Sequence, residues 1–217
     1  MCYNAPMKKS EKTTQILTEL ERLYPEAKPA LQYRTPFELL VAVVLSAQCT
    51  DERVNKVTAE LFKEHNTPQT MLALTQAELE QKIYSCGFYR MKAEHILSAS
   101  RDIIEKFGGN VPDNLKELQT LAGVGRKTAN VVYSVAFGGD AIAVDTHVFR
   151  VSNRLGLAAA ATPEKTELQL MQAIPKNLWS KAHHWLIYHG RRVCHSQKPD
   201  CQNCTLKSWC KYYKEKK

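Results

Sequence analysis

The stretch Leu121-Ala122-Gly123-Val124-Gly125-Arg126-Lys127-Thr128-Ala129 places two glycines immediately before a predicted helix whose first turn carries two cations. Glycine lets the backbone turn tightly and approach a ligand closely, and a helix N-terminus attracts anions. Two cations at that positive helix end are unfavourable unless something compensates them. We therefore expect either a bound phosphate at the turn or a lysine that reacts as a neutral amine.

Apolar residues flank this turn with helical spacing on both sides. The preceding stripe is Leu115, Leu118 and Leu121, and the following face is Ala129, Val132, Tyr133, Ala136 and Phe137. The pattern predicts a helix-hairpin-helix in which the backbone amides of Gly123, Val124 and Gly125 hold a DNA phosphate. An ordinary helix pair with a glycine cap remains an alternative.

The rest of the chain has helical spacing of apolar residues and no sustained period-two alternation, which predicts an all-α fold. Thr35 to Glu38 and Thr75 to Glu78 each form a predicted capping box, the first with Pro36 at the first helical position. The helix after Thr35 is apolar on all sides from Leu39 to Leu45, so we expect it in the middle of a core. The last long helix is predicted from Leu178 to His189, ending at Gly190.

Composition points to a polyanionic partner. The 217 residues carry a formal net charge of +8, which is typical of nucleic-acid binding although not specific to it. Residues 1 to 8 lack the apolar core of a signal peptide, and the run from Leu39 to Leu45 is too short to span a bilayer. We expect a cytoplasmic protein that does not associate with membranes, and nothing indicates an obligate oligomer, so a monomer is the expected state.

Four of the seven cysteines lie in the last 24 residues. Because an intracellular protein rarely carries disulfides, the cluster indicates a metal site. Successive cysteines are separated by six, two and five residues, whereas structural zinc usually has two close pairs of ligands. The spacing favours an iron–sulfur cluster and leaves zinc open. The predicted ligands are Cys194, Cys201, Cys204 and Cys210.

The hairpin LAGVGRKTANVV, the segment VDTHVFRVSNRLG, the segment HHWLIYHGRRVC and the four-cysteine tail occur in this order. Together they resemble the endonuclease III family of DNA glycosylase/AP lyases, from about Thr35 to Cys210. The resemblance implies a six-helix barrel domain at 29–139, with the helix-hairpin-helix near 113–137. It implies a second helical domain at 1–28 plus 140–217 that carries a 4Fe-4S cluster, with duplex DNA gripped between the domains. The resemblance also implies a cytoplasmic, bacterial-type protein that is associated with the nucleoid through DNA binding.

The resemblance also assigns Lys127 as nucleophile and Asp145 as its carboxylate partner. It implies a bifunctional base-excision repair enzyme that removes oxidised pyrimidines from duplex DNA and cleaves the abasic strand by β-elimination. A lysine with a pKa of about 10.4 is almost fully charged at neutral pH. We expect burial and the positive helix end to favour the neutral amine of Lys127. Asp145 is also a good N-cap, which alone would explain an aspartate there.

A damaged base in a duplex has to be turned out of the stack and the gap filled. By resemblance, Gln48 enters the gap from one side, and Phe88 stands where the family usually has a leucine wedge. An aromatic wedge can stack on the exposed bases; the alternative is that Phe88 packs in the core. Predicted phosphate contacts are Arg126, Arg191, Arg192 and Lys198, with simple solvated charges as the alternative for Arg191 and Arg192.

Two other classes of function remain open. A mismatch adenine glycosylase would share the hairpin and cluster, but that group typically lacks a lysine at position 127 and has an extra C-terminal domain. A non-catalytic iron–sulfur DNA-binding module is the other alternative, against which the presence of both Lys127 and Asp145 argues. His147, His183 and His184 are interpreted as structural residues and not as catalysts.

Overall fold

The computed structural model describes residues 9–216, except for the side chain of Lys9. Residues 1 to 8, whose sequence argues against a signal peptide, lie outside this range. Helices and loops account for all of the described chain, which contains no β-strand, so the all-α prediction is confirmed. No helix within residues 9–216 combines the length and the apolar character that crossing a membrane requires.

The described α-helices, in chain order, are α1 Lys9–Leu23, α2 Pro36–Ser46, α3 Asp51–Leu61, α4 Pro68–Met71, α5 Gln76–Ile83, α6 Tyr89–Phe107, α7 Leu115–Leu118, α8 Arg126–Ala136, α9 Thr146–Leu155, α10 Pro163–Ala173, α11 Trp179–Arg192 and α12 Lys211–Glu215. Two short 3-10 helices follow α10 and precede α12, at Lys176–Leu178 and Thr205–Ser208.

The chain divides into two compact units. One, the continuous unit, is Pro29–Ala141 and contains α2 to α8. The other, the split unit, combines Met1–Lys28 with Ile142–Lys217 and contains α1 and α9 to α12. Each unit has its own apolar core.

Helix α2 lies at the centre of the continuous unit. Its side chains from Phe37 to Leu45 are all buried, whichever face of the helix they occupy. It packs against α3, α6 and α8. The prediction that the apolar run from Leu39 to Leu45 lies in the middle of a core is confirmed, because these residues are buried on every face of the helix.

The N-terminus of α2 differs from its prediction in one bond. The Thr35 hydroxyl accepts a hydrogen bond from the Glu38 amide at 3.1 Å, as expected. The Glu38 carboxylate instead accepts from the Arg34 amide at 2.6 Å, one residue before the cap. The predicted capping box also needs a bond from the Thr35 amide to the Glu38 carboxylate, and this part of the prediction is wrong. At Thr75 and Glu78 both bonds of the box are present, and that prediction is confirmed.

In the split unit, α9 and α11 pack closely, with α1 against α11. The predicted end of the last long helix at Gly190 is wrong, because α11 continues to Arg192. Gly190 has a packing role instead: a Cβ added there would lie 3.0 Å from the Cβ of His147 on α9. The missing side chain lets the two helices approach each other.

Candidate active site and cysteine cavity

The predicted hairpin is present in the continuous unit as α7, a glycine turn and α8. Leu121 and Val124 are buried on the inner side of the turn. Gly123 has φ +74°, and a Cβ there would lie 2.9 Å from the side chain of His95. Two independent features therefore require glycine at position 123: the left-handed backbone and the close approach of His95.

The turn does not offer all three of the amides predicted to hold a phosphate. Val124 donates its N–H to the Leu121 carbonyl at 3.1 Å, and its side chain is buried at 4% exposure. In the DNA-free protein the Val124 amide therefore stabilises the turn, and its contact with a DNA phosphate stays a prediction. Gly123 and Gly125 are exposed, and neither donates its N–H to another residue in the described range 9–216.

Lys127 lies in the first turn of α8, two residues after the N-cap Gly125. Both Lys127 and Arg126 are exposed. The prediction that Lys127 is buried is therefore wrong for the DNA-free protein. The positive helix end beside it is present as predicted. Nothing lies within 4 Å of a Cβ placed on Gly125, so the approach to this helix end along the backbone is open.

Asp145 belongs to the split unit and is the N-cap of α9, as predicted. Its Oδ1 accepts a hydrogen bond from the Val148 amide at 2.7 Å. The side chain is half-buried. His147, two residues on, is half-buried and contacts Arg150 through its Nδ1 at 3.1 Å. Burial lowers the pKa of His147, and the nearby Asp145 opposes that shift.

Gln48 and Phe88 occupy adjacent loops of the continuous unit. Both side chains are exposed, Phe88 by 60%, so the alternative of a Phe88 packed in the core is wrong. Both residues have left-handed backbones, with φ +51° for Gln48 and +57° for Phe88. A Cβ on Gly87 would lie 3.4 Å from the carbonyl oxygen of Gln48, so the loops touch.

The four predicted cysteine ligands line one small cavity in the split unit. Burial raises the pKa of the Cys204 thiol to about 11, and it raises that of Cys210. Hydrogen-bond donors also point at the sulfurs. The backbone of Leu206 bonds to Cys204, that of Tyr213 bonds to Cys210, and Arg154 donates to Cys194 Sγ at 3.4 Å.

Donors aimed at buried sulfur suit thiolates that bind iron or zinc, and the charge of the metal offsets the repulsion between them. Within residues 9–216, no three His, Cys, Asp or Glu side chains converge closely enough to hold a single metal ion.

Residues 41–176 match the HhH-GPD superfamily base excision DNA repair protein family. The chain is 49% identical to endonuclease III of Haemophilus influenzae, covering 94% of this chain and 97% of that protein. It is 51% identical to endonuclease III of Bacillus subtilis, covering 90% of each. A solved structure of a trapped endonuclease III–DNA covalent intermediate, an estranged-adenine complex, matches with a TM-score of 0.91 and 48% identity. It covers 97% of this chain and 99% of that one.

The chain belongs to the endonuclease III family. Members of the endonuclease III family are bifunctional base-excision repair enzymes, DNA glycosylases that also cleave the abasic strand as AP lyases, and this chain is one. It acts on duplex DNA with a damaged base or abasic site. The identity over nearly the whole chain favours this class over a mismatch adenine glycosylase or a non-catalytic DNA-binding module.

Sequence reasoning missed two residues of this endonuclease III that hold the cysteine segment. From α9, Arg150 Nε donates to the Cys194 carbonyl at 3.0 Å. Arg154 donates to the carbonyls of His195 at 2.6 Å and Ser196 at 3.0 Å. The signal was their spacing, since residues four apart share one helix face. Helix α9 therefore connects Asp145, at its start, to the cysteine cavity.

The remaining predicted DNA contacts lie in or beside that segment. Arg191, Arg192 and Lys198 are all exposed. Arg192 lies over the ring of Tyr188 at 4.7 Å, so aromatic stacking holds its guanidinium. Lys198 has a left-handed backbone with φ +46°. Their contacts with phosphate stay predictions.

Proposed function

We propose that Lys127 is the nucleophile of this endonuclease III and that Asp145 assists it. The observation that carries the proposal is the position of Lys127, exposed in the first turn of α8 directly after the hairpin glycines. This is the positive end of α8, and the approach to it along the backbone of Gly125 is open. The covalent enzyme–DNA intermediate of the structural relative supports an amine that bonds to the sugar.

The reaction starts when the lone pair of the neutral Lys127 Nζ bonds to C1′ of the damaged nucleoside. The bond from C1′ to the base breaks, and the base leaves with that electron pair and takes up a proton. The nitrogen then loses a proton, and its lone pair forms the C1′=N bond as the C1′–O4′ bond breaks. O4′ keeps the electron pair of that bond and takes up a proton, which leaves the open sugar as a protonated imine. Loss of a proton from C2′ expels the 3′ phosphate and nicks the strand, and water hydrolyses the imine.

Asp145 contributes a negative charge. As the base departs, positive charge develops on the sugar, and a carboxylate whose geometry is already fixed stabilises it without having to reorganise. The hydrogen bond from the Val148 amide holds the side chain at the start of α9. The carboxylate also accepts and returns protons during ring opening and elimination.

DNA binding combines backbone and side-chain contacts. The exposed turn at Gly123 and Gly125 binds a phosphate together with Arg126, while Arg191 and Lys198 contact further phosphates without reading sequence. Gln48 and Phe88 fill the gap left by the flipped nucleotide, since both are exposed on touching loops. Phe88 stacks on the bases beside the gap. The expected substrates are oxidised pyrimidines.

The four cysteines hold a 4Fe-4S cluster. Their thiolates, with donors from Arg154 and from the backbone of Leu206 and Tyr213 aimed at them, would hold the irons of such a cluster. When bound, the cluster supplies four covalent anchors for the segment that carries Lys198. The split unit is accordingly the cluster domain and the continuous unit the six-helix barrel. Because the substrate is chromosomal DNA and the named relatives are bacterial, the enzyme works in the cytoplasm.

Borohydride trapping tests the proposal. Reduction of the imine on duplex DNA with an abasic site should give a stable protein–DNA adduct, and mass spectrometry of its peptides should locate the sugar on Lys127. Lys127→Ala should give no adduct. Arg126→Ala, in the same helical turn, is the matched control and should still form adduct at saturating DNA. An undiminished adduct in Lys127→Ala would contradict the assignment.

A further inference from the structure

Lys92 is a buried lysine in the continuous unit, with 3% exposure. Its Nζ donates to the carbonyl oxygens of Leu45 at 2.8 Å and Ala47 at 2.7 Å. No carboxylate forms an ion pair with it among residues 9–216. Burying a charge is costly unless polar partners replace water. Here the partners are two carbonyls at the negative end of α2, so the lysine acts as a cap for that helix end.

The capped helix end leads directly into Gln48. Leu45 lies in the last turn of α2, Ala47 is its C-cap, and Gln48 follows with φ +51°. A left-handed backbone is unfavourable for a non-glycine residue, so its surroundings have to hold it in place. Lys92 supplies that restraint on the amino-terminal side, since it fixes carbonyls on both sides of Ser46.

The same lysine is linked to the second gap-filling residue. Phe88 is the N-cap of α6, again with a left-handed backbone, φ +57°. The backbone N–H of Lys92 donates to the Phe88 carbonyl at 3.1 Å. One residue therefore bonds through its main chain to Phe88 and through its side chain to the residues before Gln48. The two loops also approach each other at Gly87, where an added Cβ would lie 3.4 Å from the carbonyl oxygen of Gln48.

We propose that Lys92 is a positioning residue that sets the spacing between Gln48 and Phe88, so that both side chains enter the DNA gap together. This inference rests on the proposed gap-filling roles of those two residues. It predicts that Lys92 matters for turning a nucleotide out of a duplex and not for the amine chemistry of Lys127. A single-stranded abasic site needs no such step, because its sugar is already outside any stack.

The test compares two rates in the same preparation of Lys92→Met, which keeps an unbranched apolar side chain and removes the donors. One rate is excision of an oxidised pyrimidine from a duplex, and the other is nicking of a single-stranded abasic oligonucleotide. We expect the duplex rate to fall about 100-fold relative to the single-strand rate, the effect of misplacing groups by about an ångström. The ratio is independent of the folded fraction, because both rates use the same enzyme.

Lys106→Met is the matched control. Lys106 lies in the last turn of the same helix, is exposed, and pairs with Asp102 at 2.7 Å. The ratio of the duplex rate to the single-strand rate in Lys106→Met should equal that of the wild type. If Lys92→Met gives no folded protein, Lys92→Gln, which keeps an amide donor on a shorter side chain, should give an intermediate ratio. Fluorescence of 2-aminopurine beside the lesion, which reports unstacking, should rank the variants in the same order.

A mutant cycle separates the possible outcomes. In a background with both Gln48→Ala and Phe88→Ala, Lys92→Met should change the ratio no further, because it acts through those residues. A full additional loss there, or equal loss of both rates in the single variant, would mean a merely structural role and overturn the inference. An unchanged ratio for Lys92→Met or Lys92→Gln, with a lowered ratio for Gln48→Ala, would overturn it and leave the proposed function standing. If Gln48→Ala and Phe88→Ala also left the ratio unchanged, the proposed gap-filling roles would fail.

Discussion

Asp145 Oδ1 lies 2.7 Å from the amide nitrogen of Val148 and accepts its hydrogen bond. The second carboxylate oxygen makes no hydrogen bond to another residue within 9–216. One oxygen thus anchors the start of α9 while the other stays available for chemistry. The structural and proposed catalytic roles of this aspartate can be separated by substitution.

Asp145→Asn should separate them, because asparagine caps a helix about as well as aspartate but carries no charge. We expect the midpoint of thermal unfolding to change little, while excision of the damaged base falls about 100-fold or more, as when an acid–base group is removed. Circular dichroism and a single-turnover excision assay measure the two effects.

Asp145→Ala is the companion variant. It removes the cap as well as the charge, so it should lose about 1 kcal/mol of unfolding free energy in addition to the activity. If Asp145→Asn excised the base at the wild-type rate, the carboxylate would have only its capping role.

Local features of this fold were predictable from the sequence. The caps at Thr75 and Asp145 depend on residues three positions apart, and the hairpin depends on two glycines at a fixed spacing. Such signals act within one turn of helix, so tertiary packing rarely overrides them. The Glu38 carboxylate is an exception, because the backbone entering α2 presents the Arg34 amide to it instead of that of Thr35.

Longer-range features were not predictable. The burial of Val124 and the use of its amide depend on how the turn packs on the core. The bond from Arg150 to the Cys194 carbonyl joins residues 44 positions apart. The hydrogen bond from Lys92 Nζ to the Leu45 carbonyl joins residues 47 positions apart. No periodicity or local motif encodes such pairs, because they depend on which helices become neighbours.

The two hairpin glycines should respond differently to alanine. At Gly123, with φ +74° and His95 2.9 Å from an added Cβ, alanine should cost about 1–3 kcal/mol of unfolding free energy. At Gly125, whose φ is −78° and whose surroundings are open, alanine should change stability by less than about 0.5 kcal/mol. Urea unfolding measures both.

DNA affinity should show a complementary pattern. A methyl group at Gly125 stands in the path of a phosphate that approaches the backbone, so Gly125→Ala should weaken binding to abasic duplex without loss of stability. His95→Ala should recover only part of the stability lost in Gly123→Ala, because it removes the ring atoms Nδ1 and Cγ but keeps the His95 Cβ, which also lies 2.9 Å from the added methyl group. Equal unfolding free energies for the two glycine variants would contradict this account of the turn.

Arg154 should control retention of the proposed cluster. Its guanidinium bonds to Cys194 Sγ and to the next two carbonyls, so Arg154→Met frees the loop that begins the ligand segment. Loss of such an outer contact typically weakens a metal site 10–100-fold. Visible absorbance of the cluster during incubation with a chelator should decay faster than in the wild type. In Arg192→Met, which removes the contacts of an exposed guanidinium with the rings of Tyr24 and Tyr188, the absorbance should decay at the wild-type rate.

Acid should destabilise the protein partly through His184. Burial lowers the pKa of His184 from 6.5 to about 3, and the neighbouring His183 adds to the shift. Above pH 6.5 this histidine is neutral in both states and does not affect stability. As the pH falls from 6.5 towards 3, the unfolded chain takes up a proton that the folded protein refuses, so folding loses about 1.4 kcal/mol per pH unit.

His184→Phe removes this titration and keeps an aromatic ring against His183, whose ring centre lies 4.8 Å away. Relative to the wild type, the variant should therefore gain about 2 kcal/mol of unfolding free energy between pH 7 and pH 5. His189 is present in both proteins, so its titration cancels in the difference. Chemical denaturation at pH 5, 6 and 7 gives that difference directly. A difference that stayed constant across this range would mean that His184 is protonated in the folded protein as easily as in the unfolded chain.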